Sequence, residues 1–179
     1  MVPLLKYKKQ RNFSMSKRTK YNIFGTEQGI FQPQALNKDG GLKYTGKHTP
    51  MFRSSYEKQC FYILERNPNV LWWKSESTAI PYHNGLDSAR HNYFVDLTFG
   101  AYDKEGKIQT YLVEIKPEAQ AIPPIKTPRK QKKTLEMEVK RWIINRSKWN
   151  AAAAYAKMHG YKFYIWTEQR MFEWVPTDN

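Results

Sequence analysis

Two carboxylates and a lysine sit inside apolar, strand-like runs. Asp96 interrupts Asn-Tyr-Phe-Val-Asp-Leu-Thr-Phe (92–99), and Glu114 and Lys116 interrupt Tyr-Leu-Val-Glu-Ile-Lys (111–116). Side chains alternate along a strand, so Glu114 and Lys116 project from the same face. A solvated edge strand with a surface ion pair would show the same E-x-K spacing. A second acid on the neighbouring strand favours chemistry. Asp103 to Gly106 (Asp-Lys-Glu-Gly) forms a tight turn between the two runs, and an antiparallel pair centred there puts Asp96 opposite residues 112–114. Isolated carboxylates in an apolar setting cost several kcal/mol unless paired or metal-bound. Two of them together repel, and a hard divalent cation removes the repulsion. Mg²⁺, with Mn²⁺ as a substitute, suits such oxygen ligands, keeps several waters and bridges to phosphate. Lys116 then stands where it can orient or help deprotonate a water, or neutralise charge developing on a phosphate.

The elements that must position these residues follow from period and punctuation. Tyr56, Cys60, Ile63 and Leu64 recur at helical spacing, with Ser54 or Ser55 as a cap and Asn67-Pro68 as the stop. Val-Leu-Trp-Trp-Lys-Ser and Thr-Ala-Ile-Pro-Tyr read as two short strands, and Asn84-Gly85 signals a hairpin. The Asp96 and Glu114 runs make an antiparallel pair. Four prolines between Pro117 and Pro128 predict extended loop. A long helix is expected from about Lys130 to His159, with Leu135, Val139, Trp142, Trp149, Ala153 and Ala156 on one face and Gly160 as its stop. Tyr-Lys-Phe-Tyr-Ile-Trp ends as a strand, and Thr167 is a candidate cap for a short final helix. This order makes an α/β fold, a mixed central sheet flanked by helices.

Composition bounds the partners. The net charge is +14 over 179 residues. Residues 1–50 hold ten Lys/Arg against two Asp/Glu, residues 51–125 eight against nine, and residues 126–179 twelve against five. Two basic flanks around a mildly acidic middle attract a polyanion, with double-stranded DNA the natural candidate. Residues 1–41 show no sustained period and read as a basic, flexible arm, leaving 42–179 as the folded domain. A single cysteine, Cys60, excludes an internal disulfide and a cysteine-based zinc cluster. No run approaches the roughly 20 apolar residues of a membrane helix, so no membrane partner is expected.

The pattern Asp-x₁₇-Glu-x-Lys resembles that of the PD-(D/E)xK nucleases. Arg-Ser-Ser-Tyr-Glu (53–57), Ile-Pro-Tyr (80–82), Asn-Tyr-Phe-Val-Asp-Leu (92–97), Leu-Val-Glu-Ile-Lys-Pro-Glu-Ala-Gln-Ala-Ile-Pro-Pro (112–124) and Trp-x₂-Asn-x₂-Lys-Trp-x-Ala-Ala (142–152) occur in order. Together they are similar to the head completion nucleases of contractile-tailed bacteriophages and, more distantly, to the transposon-end endonuclease subunit of heteromeric transposases. The likeness covers about residues 42–169. It implies a restriction-endonuclease-like core and Mg²⁺-dependent phosphodiester hydrolysis. It also implies a role in head completion after genome packaging and before head–tail joining, in the host cytoplasm or on the virion, with portal or neck proteins as further partners. Site-specific transposon-end cleavage and a non-catalytic DNA-binding or neck-assembly role are the alternatives.

Carried over residue by residue, Glu57 matches the helix acid, Asp96 and Glu114 the strand acids and Lys116 the lysine. All four are then catalytic, with the three acids as metal ligands. Val95 stands where these families usually have proline. For DNA contact the candidates are Arg53, which can instead pair with Glu57, the run Lys126, Arg129, Lys130, Lys132 and Lys133, and Asn145 with Lys148 one helical turn apart. His91 is read as a sheet-face hydrogen-bonding residue. The pairs Trp72-Trp73 and Trp142 with Trp149 are read as core.

Overall fold

The computed structural model describes residues 27–168, 170 and 171. Strand β1 (Gly29–Ile30) pairs antiparallel with β2 (Met51–Phe52). Helix α1 (Ser55–Arg66) follows; its N-cap is Ser54, whose hydroxyl accepts the Glu57 N–H. It buries Cys60, Ile63 and Leu64 of the stripe read from its spacing, and Phe61 besides, while Tyr56 is half-buried against the same core.

The two apolar runs expected as separate strands form one, β3 (Val70–His83). The polar Lys-Ser-Glu-Ser between them does not break it. A register shift between Ser75 and Thr78 absorbs it as a bulge, with Glu76 at φ 45°. Strand β4 (Arg90–Tyr102) runs back antiparallel, and β5 (Ile108–Ile115) returns through the Asp103 turn. The Asp103 carboxylate accepts the Glu105 and Lys107 N–H groups, and Gly106 takes the left-handed φ of 75°. One helical turn, α2 (Glu118–Ala121), opens the segment expected to be wholly extended. Helix α3 (Lys132–His159) ends at Gly160, whose left-handed φ of 67° lets its N–H reach back to the Ala156 and Lys157 carbonyls. Strand β6 (Lys162–Trp166) lies parallel to β5, completing a four-stranded sheet in the order β3-β4-β5-β6. One further turn follows, with the Met171 N–H on the Thr167 carbonyl. The rest of the expected final helix lies outside the described residues.

Two cores sandwich this sheet. On the α1 face, Cys60, Phe61 and Leu64 pack with Trp73, Leu97, Phe99, Val113, Ile115 and Trp166. On the α3 face, Ala152 and Ala156 pack with Ile80, Tyr82, Tyr93, Val95 and Leu112. Val95 and Leu97, both odd-numbered, serve opposite cores, so β4 changes face between them, at Asp96. The bulge residues Glu76 and Ser77 lie opposite that point, between Thr78↔Val95 and Ser75↔Leu97.

Three sequence readings are corrected here. The buried face of α3 is Asn145, Trp149, Ala152 and Ala156, while Val139 and Ala153 are exposed and Leu135 and Trp142 half-buried. The first three turns of α3 therefore overhang the sheet. Of the tryptophans, Trp73 and Trp149 are core, but Trp72 and Trp142 are half-buried. The folded unit also begins before residue 42. Phe31 packs edge-on against Phe61 and Trp73, and the N–H groups of Gln34 and Ala35 bond to Glu65. Residues 1–26 of the expected arm lie outside the described residues.

Gly85, in the loop joining β3 to β4, is pressed against α3. A Cβ there would stand 2.9 Å from Ile143 Cγ2, and the Gly85 N–H donates to Ser147 Oγ at 3.1 Å. That contact fixes the helix over the site end of the sheet. Among the described residues no helix is long and apolar enough to cross a membrane.

Candidate active site

The β4–β5 ladder stops at Leu97↔Val113, so the next pair in register is Asp96 and Glu114. There the backbone bond is replaced by a side chain: Asp96 Oδ2 accepts the Ile115 N–H at 2.7 Å. β5 itself continues beside β6, with Lys116 N–H on the Trp166 carbonyl at 2.9 Å. The strand that carries Glu114 and Lys116 is thus held on its far side while Asp96 closes its near side.

Glu114 is only 3% exposed. Its Oε1 lies 2.7 Å from Lys116 Nζ, and its Oε2 accepts the Tyr93 hydroxyl at 2.6 Å. Lys116 Nζ also donates to its neighbour's main-chain oxygen, Ile115 O, at 3.2 Å. Burial pushes the Asp96 carboxyl up to about 8, helped by the Glu114 charge, with Lys116 and the Ile115 N–H opposing. Burial works against the Lys116 ammonium, but Glu114 and Asp96 together outweigh it and hold it above the ordinary lysine range. Burial, then Glu114, also pushes the Tyr93 hydroxyl far up, so it stays a donor to the carboxylate. Two acids, one of them destabilised as an anion, face each other across one lysine.

A family model described as TnsA-like endonuclease N terminal matches residues 67–168. The chain belongs to the TnsA-like endonuclease family. It is also 35% identical over 130 residues to the "Head completion nuclease" of Enterobacteria phage T4, covering 70% of this chain and 84% of that one. The α/β fold is accordingly restriction-endonuclease-like, as the motif order implied. In this TnsA-like endonuclease the span matched to the family contains Tyr93, Asp96, Glu114 and Lys116, and Glu57 and Arg53 precede it.

Glu57 lies near enough to add its negative field to Asp96 and Lys116. Its oxygens, however, are engaged at the start of α1: Oε2 accepts the Arg53 N–H at 2.8 Å and Oε1 the Ser54 hydroxyl at 3.2 Å. This is a capping arrangement, with Ser54 and Glu57 satisfying donors at the helix start. Among the described residues no three His, Cys, Asp or Glu side chains gather around one cation position. The expected trio of carboxylates is therefore a pair, with Glu57 beside it. Arg53 bonds to Glu57 through its backbone only, and its guanidinium forks onto both oxygens of Glu76, the bulge residue of β3.

Lys148 reaches the site from α3: its Nζ lies 5.6 Å from the Tyr93 ring centre and 5.9 Å from that of Tyr82. Asn145, one turn earlier, is buried under the proline-rich segment. Of the basic run, Lys126, Arg129, Lys132 and Lys133 are exposed. Lys130 is not available in the same way, since its Nζ donates to the Ile125 carbonyl and to Glu138 at 2.7 Å. His91 is exposed and faces Asp87 at 3.6 Å.

Tyr93 and Glu76 were missed in the sequence. An aromatic residue in a strand reads as core, and Glu76 sat in what read as a break. The signal for Tyr93 was its position, three residues before Asp96, where the face switch of β4 turns it toward Glu114.

Proposed function

We propose that the chain is a Mg²⁺-dependent DNA endonuclease that hydrolyses phosphodiester bonds at Asp96, Glu114 and Lys116, and that it acts in phage head completion. The observation that carries the reading is the meeting of the two acids and the lysine where the β4–β5 ladder ends. The head-completion role rests on the name of the phage T4 relative.

The donor set fits a divalent cation. Burial disfavours the Asp96 anion most and the Glu114 charge adds repulsion, and a bound cation would offset both. A cation, the Lys116 ammonium, already rests on Glu114 Oε1 and Ile115 O. Asp96 and Glu114 would hold the metal, with a small protein share of the oxygen shell that suits an ion keeping several waters. When bound, it supplies Lewis-acid polarisation of the phosphate and acidification of a water.

The chain's own residues do the rest. Tyr93 fixes Glu114 in one rotamer by its hydroxyl. Lys116 Nζ orients the attacking water or neutralises charge growing on the phosphoryl oxygens. Lys148 adds positive charge at the rim. Lys126, Arg129, Lys132 and Lys133 contact backbone phosphates, which position DNA without selecting sequence.

Nicking of supercoiled plasmid tests the reading. Cleavage is expected with Mg²⁺ or Mn²⁺, none in EDTA, and none with Lys116→Ala under any ion. Equal cleavage in EDTA sinks the metal assignment. Binding of DNA without cleavage in any divalent ion would favour a structural neck protein over an enzyme.

A further inference from the structure

Beside the catalytic residues, the proline-rich segment that leaves Lys116 arches over the overhanging start of α3. The two enclose a cleft of about 420 Å³, lined by Ile122, Pro123, Ile125, Arg141, Trp142 and Asn145. Three properties of it are not explained by folding. Ile122 and Ile125 are exposed although both line the cleft. Trp142 is half-buried, edge-on to Trp149 and with Arg146 over its ring. Asn145 is only 7% exposed, lines the cleft, and its amide has no hydrogen-bond partner among the described residues. Among the described residues the buried side-chain atoms left without a partner are Trp149 Nε1 and Thr167 Oγ1, so the Asn145 amide is open to the cleft rather than sealed. A ligand with both a flat apolar face and edge donors and acceptors would complement Trp142 and that amide together.

We propose that this cleft receives one unpaired nucleobase of the DNA substrate, stacked against Trp142 and read at its edge by Asn145. This rests on the nuclease reading and deepens it: the preferred substrate carries a bulge, gap or frayed end beside the cleaved bond. The volume suits a base and leaves no room for a duplex. Base stacking on an aromatic ring tolerates any base, whereas an amide donates and accepts in a pattern that does not. Charge complementarity agrees, since Arg141 lines the cleft and is exposed, and Arg129, Lys132 and Lys133 are exposed on the segment and helix start that enclose it, where they would meet the flanking phosphates. Position agrees as well. Asn145 is one helical turn from Lys148, which stands over the Tyr93 ring, and Tyr93 holds Glu114.

The test is binding, in EDTA so that cleavage does not compete. Duplexes carry 2-aminopurine either paired or as a single-base bulge, and fluorescence and affinity are read for the full-length protein. Quenching of the bulged probe beyond that of the paired one is expected, with tighter binding of the bulged DNA. Trp142→Ala should reduce that preference about ten-fold, the scale of one base–aromatic stack. Asn145→Leu keeps the stack and serves if Trp142→Ala folds poorly. It should retain the quenching while flattening differences in affinity among A, C, G and T at the bulge. Equal affinity and equal fluorescence for paired and bulged probes, with duplex still bound, overturns the subsite alone. Failure to bind any of these DNAs overturns the nuclease reading, and the subsite with it.

Discussion

Two buried glutamates sit in the same small molecule and live differently. Glu65, at the end of α1, is 9% exposed and accepts three neutral N–H donors, from Gln34, Ala35 and the Trp73 indole. The Lys43 ammonium caps the carbonyls of Glu65 and Asn67 beside it. Three N–H groups converge on one negative charge, and among the described residues no second acid shares those donors. Glu114, at the end of β5, has one hydroxyl and one ammonium, and a second acid across the strand pair. The first carboxylate is satisfied by the fold. The second is held by one hydroxyl and one ammonium and shares its position with Asp96, whose carboxyl is pushed up by burial and by that shared charge. Burial of a charge therefore does not by itself mark a candidate site; burial beside a second, like charge does.

The comparison can be broken by exchanging roles. Asp96→Ala or Glu114→Ala should lower cleavage roughly 10³-fold or more; Asp96→Ala should melt close to wild type, because a repulsion is removed, whereas Glu114→Ala also strands the Tyr93 hydroxyl and the Lys116 ammonium and should melt lower. Near-normal plasmid nicking by either variant removes the site. Glu65→Ala should do the reverse. It strands three N–H donors, costing about 3–5 kcal/mol and on the order of 10 °C in Tm, with activity per folded molecule retained. A Glu65→Ala protein as stable as wild type would mean the two glutamates are not different in kind.

Mn²⁺ sharpens the contrast. At about 100 times its Kd it should stabilise the wild type by about 2.7 kcal/mol, seen as a Tm rise by calorimetry. The rise should persist in Glu65→Gln and vanish in Asp96→Asn; a rise kept in Asp96→Asn puts the cation elsewhere. Tyr93→Phe removes only the hydroxyl that holds Glu114, and about a ten-fold loss in cleavage is expected, the worth of one hydrogen bond to a charge. Glu57→Gln, which keeps a cap acceptor, should change cleavage less than about three-fold. A Mg²⁺ titration shifted well beyond that would return Glu57 to the metal.

The sequence made some of this legible for a physical reason. Asp96, Glu114 and Lys116 stood out because charge is out of place in strands otherwise built of Phe, Val, Leu and Ile. Their register followed from one four-residue turn. Phe31 and Lys43 were invisible because each is a lone contributor to the core within polar surroundings, where local periodicity carries nothing. The Glu76 bulge was read as a gap between strands, since a polar run of four looks like a turn when its partner strand is unknown. The overhang of α3 was read as buried because Leu135, Val139 and Trp142 keep helical spacing whether or not anything lies beneath them. Asn145 was read as a DNA-contact candidate on a helix face, but its burial beneath the proline-rich segment depends on a distant stretch of chain that helical spacing does not place.

The anchoring of β5 by β6 bears on when this protein becomes active. Glu114 and Lys116 are aligned by a neighbour that follows them by some fifty positions, with Ile165 beside Glu114 and the Trp166 carbonyl holding the Lys116 amide. All of α3 must be made, and capped at Gly160, before that neighbour arrives. A chain still lacking β6 would carry Asp96, Glu114 and Lys116 without the strand that holds β5 on its far side, so the proposed chemistry waits on that strand.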